Sequence, residues 1–216
     1  MSADIQEAGM LIYYIASGGH HLLQSCTIEG RILEGLYSLE HVQDPITKDL
    51  VKWMINTNPN ERPTVQQCLA HPFFWSRRSK IDYLKEIGNQ VEVKNYRPLL
   101  ARFVVLLHEL DRDVGVATWM EWKNKFPPEL VQKMETVKRN YSENTAGLLR
   151  FIRNLHEHHR EDTGHIDLMA IFPHLFGGVY VFADNRGWNS RFGLREMFQE
   201  EEEEVPWPVA FLSSPA

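Results

Sequence analysis

Apolar residues recur along this chain at the three- and four-residue spacing of helices that bury one face. Ile5, Ala8, Leu11, Ile12 and Ile15 form the first such stripe, which Gly18 and Gly19 end. Leu50, Val51, Met54 and Ile55 form a second, broken at Asn58–Pro59, and Val65 to Leu69 start another helix. Beyond these, Leu99, Leu100, Phe103, Val104 and Leu107 keep helical period. So do Leu130, Val131, Met134 and Val137, which follow Pro127–Pro128, a pair well placed to open a helix. Leu148, Leu149, Ile152 and Leu155 make the next stripe, and Leu168, Ile171, Phe172 and Leu175 the last. Connectors are expected at Gly88–Asn89, Pro127–Pro128 and Gly177–Gly178. No run alternates with the two-residue period of a strand, so the pattern predicts an all-α fold.

Composition narrows the class. The 216 residues are 43% hydrophobic and 24% charged, as in a globular protein with a substantial core. The two cysteines, Cys26 and Cys68, lie far apart without ligand-type spacing. That argues against a disulfide scaffold or a cysteine zinc site and points to a reduced, intracellular setting. Asp4 and Glu7 follow Met1 too closely for a signal peptide, and the longest apolar run, Met10 to Ala16, falls far short of the ~20 residues that span a bilayer. A cytoplasmic protein with no membrane segment is the expectation. Most of the net charge of -6 sits in the five consecutive acids Glu200 to Glu204, read as the start of a solvated tail that runs on into PWPVAFLSSPA. The rest is close to neutral, which suits an enzyme that grips nucleic acid through a few local cations better than a protein that coats it.

The chemistry concentrates in YSENTAGLLRFIRNLHEHH, Tyr141 to His159. Asn144 and Thr145 suit a helix N-cap. Opposite the apolar stripe fall Arg150, Arg153, Asn154, Glu157 and His158, with Asn154 and His158 as neighbours one turn apart. Periodicity alone describes a surface helix with a solvated polar face. His156, His158, His159 and His165 also invite a metal reading, but they point to different sides of the helix, and no metal or other cofactor is expected. Trp119 and Trp122 are read as core residues rather than base-stacking platforms.

This segment resembles the catalytic helix of the kinase-extension nuclease (KEN) family, shared by ribonuclease L and the endoplasmic-reticulum stress sensors that join a kinase to an endoribonuclease. The resemblance extends through HPFFWS (His71 to Ser76), FPHL (Phe172 to Leu175) and REMFQ (Arg195 to Gln199), and through DIQEAG (Asp4 to Gly9) and NPNERPT (Asn58 to Thr64), which look like late helices of a protein-kinase large lobe. It implies a truncated kinase-like lobe over 1–75, a helical KEN domain over 76–200 and a tail over 201–216. It also implies that Tyr141, Arg153, Asn154 and His158 form the site. In kinases the residue matching Arg62 pairs with a glutamate of a segment that this chain lacks. The chain also lacks a phosphate-binding glycine loop, the strand lysine, and the His-Arg-Asp and Asp-Phe-Gly signatures, so kinase activity is not expected.

RNA carries its own nucleophile, the 2′-hydroxyl. Its attack on the adjacent phosphorus gives a 2′,3′-cyclic phosphate and a free 5′-hydroxyl, without metal. His158 is the expected general acid, Arg153 the expected phosphate holder, Asn154 a second holder or the residue that orients the histidine, and Tyr141, helped by the charge of Arg153, the activator of the 2′-hydroxyl. DNA lacks the nucleophile and should not be cut. The resemblance further implies homodimers, or heterodimers with related KEN proteins, and RNA processing or decay in a stress or antiviral response. The competing reading is an inactive interaction module that pairs with full-length kinase/endoribonuclease relatives and regulates them. One departure stands out: Gly147 occupies a position where the family usually has an acid, and a helix-interior glycine costing about 1 kcal/mol predicts a looser helix start.

Overall fold

The computed structural model describes residues 2–22, 37–94, 101–136 and 140–198. Cys26, Leu99, Leu100, Val137, Gln199 and the acidic tail lie outside the described residues. Within them the chain forms helices α1 (Ser2–Ala16), α2 (Pro45–Met54), α3 (Val65–Leu69), α4 (Arg77–Asn89), α5 (Val91–Lys94), α6 (Ala101–Val114), α7 (Val116–Trp119), α8 (Pro128–Met134), α9 (Thr145–His158), α10 (Leu168–Ile171) and α11 (Leu175–Asn185). The all-α expectation holds, and no helix is long and apolar enough to cross a membrane among the described residues.

Local chemistry explains the helix starts. Asp44 accepts from the Thr47 amide at 2.9 Å ahead of Pro45, and Thr64 and Gln67 form a reciprocal capping box on α3. Ser76 caps α4 through the Ser79 amide, and Asn144 caps α9 through the Gly147 amide at 2.8 Å. Pro128 opens α8, as the double proline predicts.

Several expectations change. The last stripe is not one helix: α10 ends at Ile171 and α11 begins at Leu175, because Pro173 between them has no amide to donate. Gly88–Asn89 and Gly177–Gly178 are not connectors. The first pair closes α4 and the second lies in the first turn of α11. Each of these glycines marks a close approach. A Cβ on Gly88 would sit 2.9 Å from the Leu149 carbonyl oxygen of α9, and one on Gly178 would sit 2.5 Å from the Val114 Cα of α6. The buried face of α1 runs through Ile5, Gly9 and Tyr13, whereas Leu11 and Ile15 of the expected stripe are 59% and 70% exposed.

Three apolar clusters organise the interior. Two small ones lie in the N-terminal part, around Tyr13, Val51 and Ile55, and around Ile5, Leu50 and Met54. The large one joins α4, α6, α8, α9, α10 and α11, with Ile46 of α2 included. Its centre is aromatic: Phe151 packs 4.9 Å from Trp122, 4.8 Å from Phe126 and 5.3 Å from Tyr141. Trp122 is fully buried and donates its indole N–H to the Ser142 carbonyl, as a core role demands. Trp119 is half-buried, its indole N–H given to the Asp111 carbonyl.

Asp49 links the N-terminal helices to the later ones. Its Oδ2 accepts from Tyr180 of α11 at 2.7 Å and lies 3.3 Å from His71 Nε2. Burial pushes this carboxyl up, but the hydrogen bonds from His71 and Tyr180 and the charges of His71 and Lys52 bring it below the usual carboxylate range. Arg62 points to backbone instead of a glutamate, donating to the carbonyls of Asn56 and Ser2 at 2.8 and 3.1 Å.

Candidate active site

The site is built on α9. Its apolar stripe, Leu148, Leu149, Ile152 and Leu155, is fully buried, and α4 is the helix packed most extensively against it. Gly88 allows that contact, and it brings the end of α4 beside Arg153. Asn89 Oδ1 accepts from Arg153 Nε at 2.8 Å, Arg153 Nη1 donates to Asn154 Oδ1 at 2.7 Å, and Asn154 Nδ2 donates to the Tyr141 hydroxyl at 2.7 Å. Arg153 Nη2 pairs with Glu157 at 2.9 Å, and the same Glu157 oxygen lies 4.0 Å from His158 Nε2. The four residues singled out in the sequence therefore lie along one polar line. Three are directly hydrogen-bonded, and His158 stands at the open end with its side chain 55% exposed.

Tyr141 is fully buried. Its ring packs against Phe151 and Trp122, and its amide donates to Glu135, which is itself paired with Lys123 at 2.7 Å. The hydroxyl thus serves Asn154 rather than the open face. The approach of this segment explains Gly147. A Cβ there would lie 1.9 Å from the Ser142 carbonyl oxygen, so the residue after Tyr141 crosses directly over the first turn of α9. The helix start is tight where the sequence predicted looseness. Thr145 is tied down as well, its amide donating to Asp111 at 2.7 Å.

Two members of this network escaped the sequence. Asn89 lies 64 positions before Arg153 and carried no local signal. Glu157 lies on the polar face of the helix pattern, and its pairing with Arg153 uses the i, i+4 spacing that favours such ion pairs.

The other histidines part company from the site. Among the described residues, His159, Glu161 and Asp162 bring ligating atoms within 4.8 Å of one another. Lys133 already neutralises that group, 2.6 Å from Asp162 and 3.5 Å from Glu161. His156 faces α4. Burial holds its imidazole below the usual range, Lys85 adds to this, Asp82 opposes it, and Arg160 and Arg78 add further. The unfolded chain therefore takes up this proton first, and stability should fall as the pH drops through about 6.5, the ordinary imidazole value. His156→Gln should flatten the decline of melting temperature between about pH 7 and 5. Parallel melting curves for the parent and the variant would remove His156 as the cause.

The module thus carries an Arg–Asn pair bound to a tyrosine, with a solvent-facing histidine one turn on. Residues 80–193 match the family described as Ribonuclease 2-5A, and the chain belongs to that family. It is 29% identical over 166 residues, 74% of its length, to the sensor for unfolded proteins in the ER ire1 of Schizosaccharomyces pombe, of which it covers 15%. Over the same share of the chain it is 28% identical to the serine/threonine-protein kinase/endoribonuclease IRE2 of Homo sapiens, covering 17% of that protein. Identity to the 2-5A-dependent ribonuclease of Homo sapiens is 29% over 166 residues, covering 21% of it. The chain thus spans about a fifth or less of these relatives, and it resembles both branches almost equally.

Proposed function

We propose that this chain is a metal-independent endoribonuclease, with a kinase-like portion over 1–75 and the nuclease domain over 76–200. The observation that carries the reading is the Arg153–Asn154–Tyr141 hydrogen-bond series ending beside an exposed His158. Tyr141 and Arg153 lock the rotamer of Asn154, so that its site face is preorganised for a phosphate oxygen. The 2′-oxygen bonds to phosphorus, the bond from phosphorus to the 5′-oxygen breaks, and His158 gives its proton to that departing oxygen. The 2′-hydroxyl proton leaves to water at the open face, because the Tyr141 hydroxyl is enclosed. Tyr141 is on this reading a positioning residue, acting through Asn154. Arg153 offers Nη2 to the phosphate when the phosphate displaces Glu157.

Incubation of the purified protein with uridine-rich and stem-loop RNAs in the presence of chelator should yield fragments ending in 2′,3′-cyclic phosphate and 5′-hydroxyl. Activity lost on chelation, or fragments ending in 3′-hydroxyl, would overturn the assignment. Assembly follows the family expectation: two copies, or this chain and a relative, pair to align two sites on structured RNA. Specific activity should then rise with protein concentration in step with dimer mass measured by sedimentation. Constant specific activity from a strict monomer across the micromolar range would remove the dimer requirement.

A further inference from the structure

The charges on α9 are not equally available. Arg153, the cation of the Arg–Asn pair, is engaged at all three guanidinium nitrogens, by Asn89, Asn154 and Glu157, and Glu157 matches its charge. Other cations nearby are matched too: Lys123 with Glu135, Lys85 and Arg78 with Asp82, and Lys133 with Asp162 and Glu161. Arg150 differs. It has no carboxylate partner among the described residues, and its guanidinium carbon lies 5.9 Å from the centroid of the Tyr141 ring, which anchors the side chain against the site's own tyrosine. Arg150, Asn154 and His158 follow one another at four-residue spacing and so share one strip of the helix surface. Arg160 also lacks an ion pair among the described residues, but its charge is felt at His156, on the side facing α4.

Resting on the endoribonuclease reading, we infer that Arg150 is the residue through which the site grips the RNA backbone, contacting a phosphate one helical turn from the scissile group held at Asn154 and His158. A helical turn rises about 5.4 Å, close to the distance between neighbouring phosphates of a single strand, so the strip offers successive phosphates a cation at one end and the general acid at the other. The division of labour follows from charge accounting. Arg153 is held by its partners and mainly orients Asn154, whereas Arg150 brings an unmatched positive charge that a phosphate can take without displacing a carboxylate.

Binding of a fully 2′-O-methylated single-stranded RNA, which cannot be cut, separates this role from catalysis. Measured against salt concentration, the log–log slope for Arg150→Gln should be shallower than that of the parent by about 0.7, the loss of one phosphate contact on a single strand. Arg150→Lys should restore most of the slope, and the melting temperatures of both variants should match the parent. On cleavable RNA the loss in Arg150→Gln should appear chiefly as a raised KM. A parent that binds this RNA while Arg150→Gln keeps the parental slope and affinity would overturn the role of Arg150 and leave the endoribonuclease reading standing. A parent that neither binds nor cuts RNA would overturn both.

Discussion

His158→Ala should fold as the parent does and cut RNA at least ~100-fold more slowly, the typical contribution of a positioned general acid. The two halves of this expectation come from the same geometry. The His158 side chain is more than half exposed at the last turn of α9, and its nearest charged partner, Glu157, lies 4.0 Å away. Little packing is lost with it, and exposed pairs of this kind contribute little to stability. On the proposed mechanism His158 gives the proton, and neither Tyr141, which is enclosed, nor His156, which lies by the charges of α4, is placed to replace it. Cleavage rates with matched melting curves give the test. A variant as active as the parent would remove His158 from the chemistry, and a variant that loses its fold together with its activity would remove the evidence that the histidine acts on RNA.

The second large effect concerns stability and has opposite signs in the two lines of argument. By helix propensity, Gly147→Ala should stabilise α9 by about 1 kcal/mol. By the packing it should destabilise, because the new Cβ would meet the Ser142 carbonyl at 1.9 Å, and backbone cannot swing aside as a long side chain can. The backbone clash outweighs the propensity gain. We expect a loss near the upper end of overpacking costs, about 3 kcal/mol, or roughly 6–12 °C in melting temperature for a chain of this size. Gly147→Asp, which restores the acid common in the family, should be destabilised in the same way. The displaced Ser142 would draw Tyr141 with it, so the Asn154 contact and cleavage should both suffer. Either variant melting at or above the parent would show that the 141–142 segment does not cross the helix start as described.

These two predictions differ in how far the sequence could carry them. The core face and the N-cap of α9 were legible because both are local: periodicity sets which residues share a face, and a short polar side chain finds amides three residues on. The Arg–Asn pair and the downstream histidine were legible through the family resemblance. Glycine defeated the local argument at Gly88, Gly147, Gly177 and Gly178. In sequence a glycine reads as a break, and nothing along the chain reveals that another backbone lies within contact distance of the missing Cβ. The exposure of Leu11 and Ile15 escaped for the same reason, since helical spacing places them on a stripe but cannot say which side of α1 is covered.

What the amino-acid sequence determined by itself was therefore the all-α class, the starts of α3, α8 and α9, the apolar face of α9 and the family that supplies the candidate quartet. These rest on interactions spanning a few residues, whose rules are the same in any protein. What only the tertiary structure decided was the state of each site residue. Arg153 is held by Asn89 across 64 positions, Tyr141 is sealed beneath aromatic rings and serves Asn154, and Arg150 is left without a carboxylate partner among the described residues. Such partners are set by how α4, α6 and the 141–142 segment pack onto α9. Burial and charge pairing depend on that packing, not on spacing along the chain.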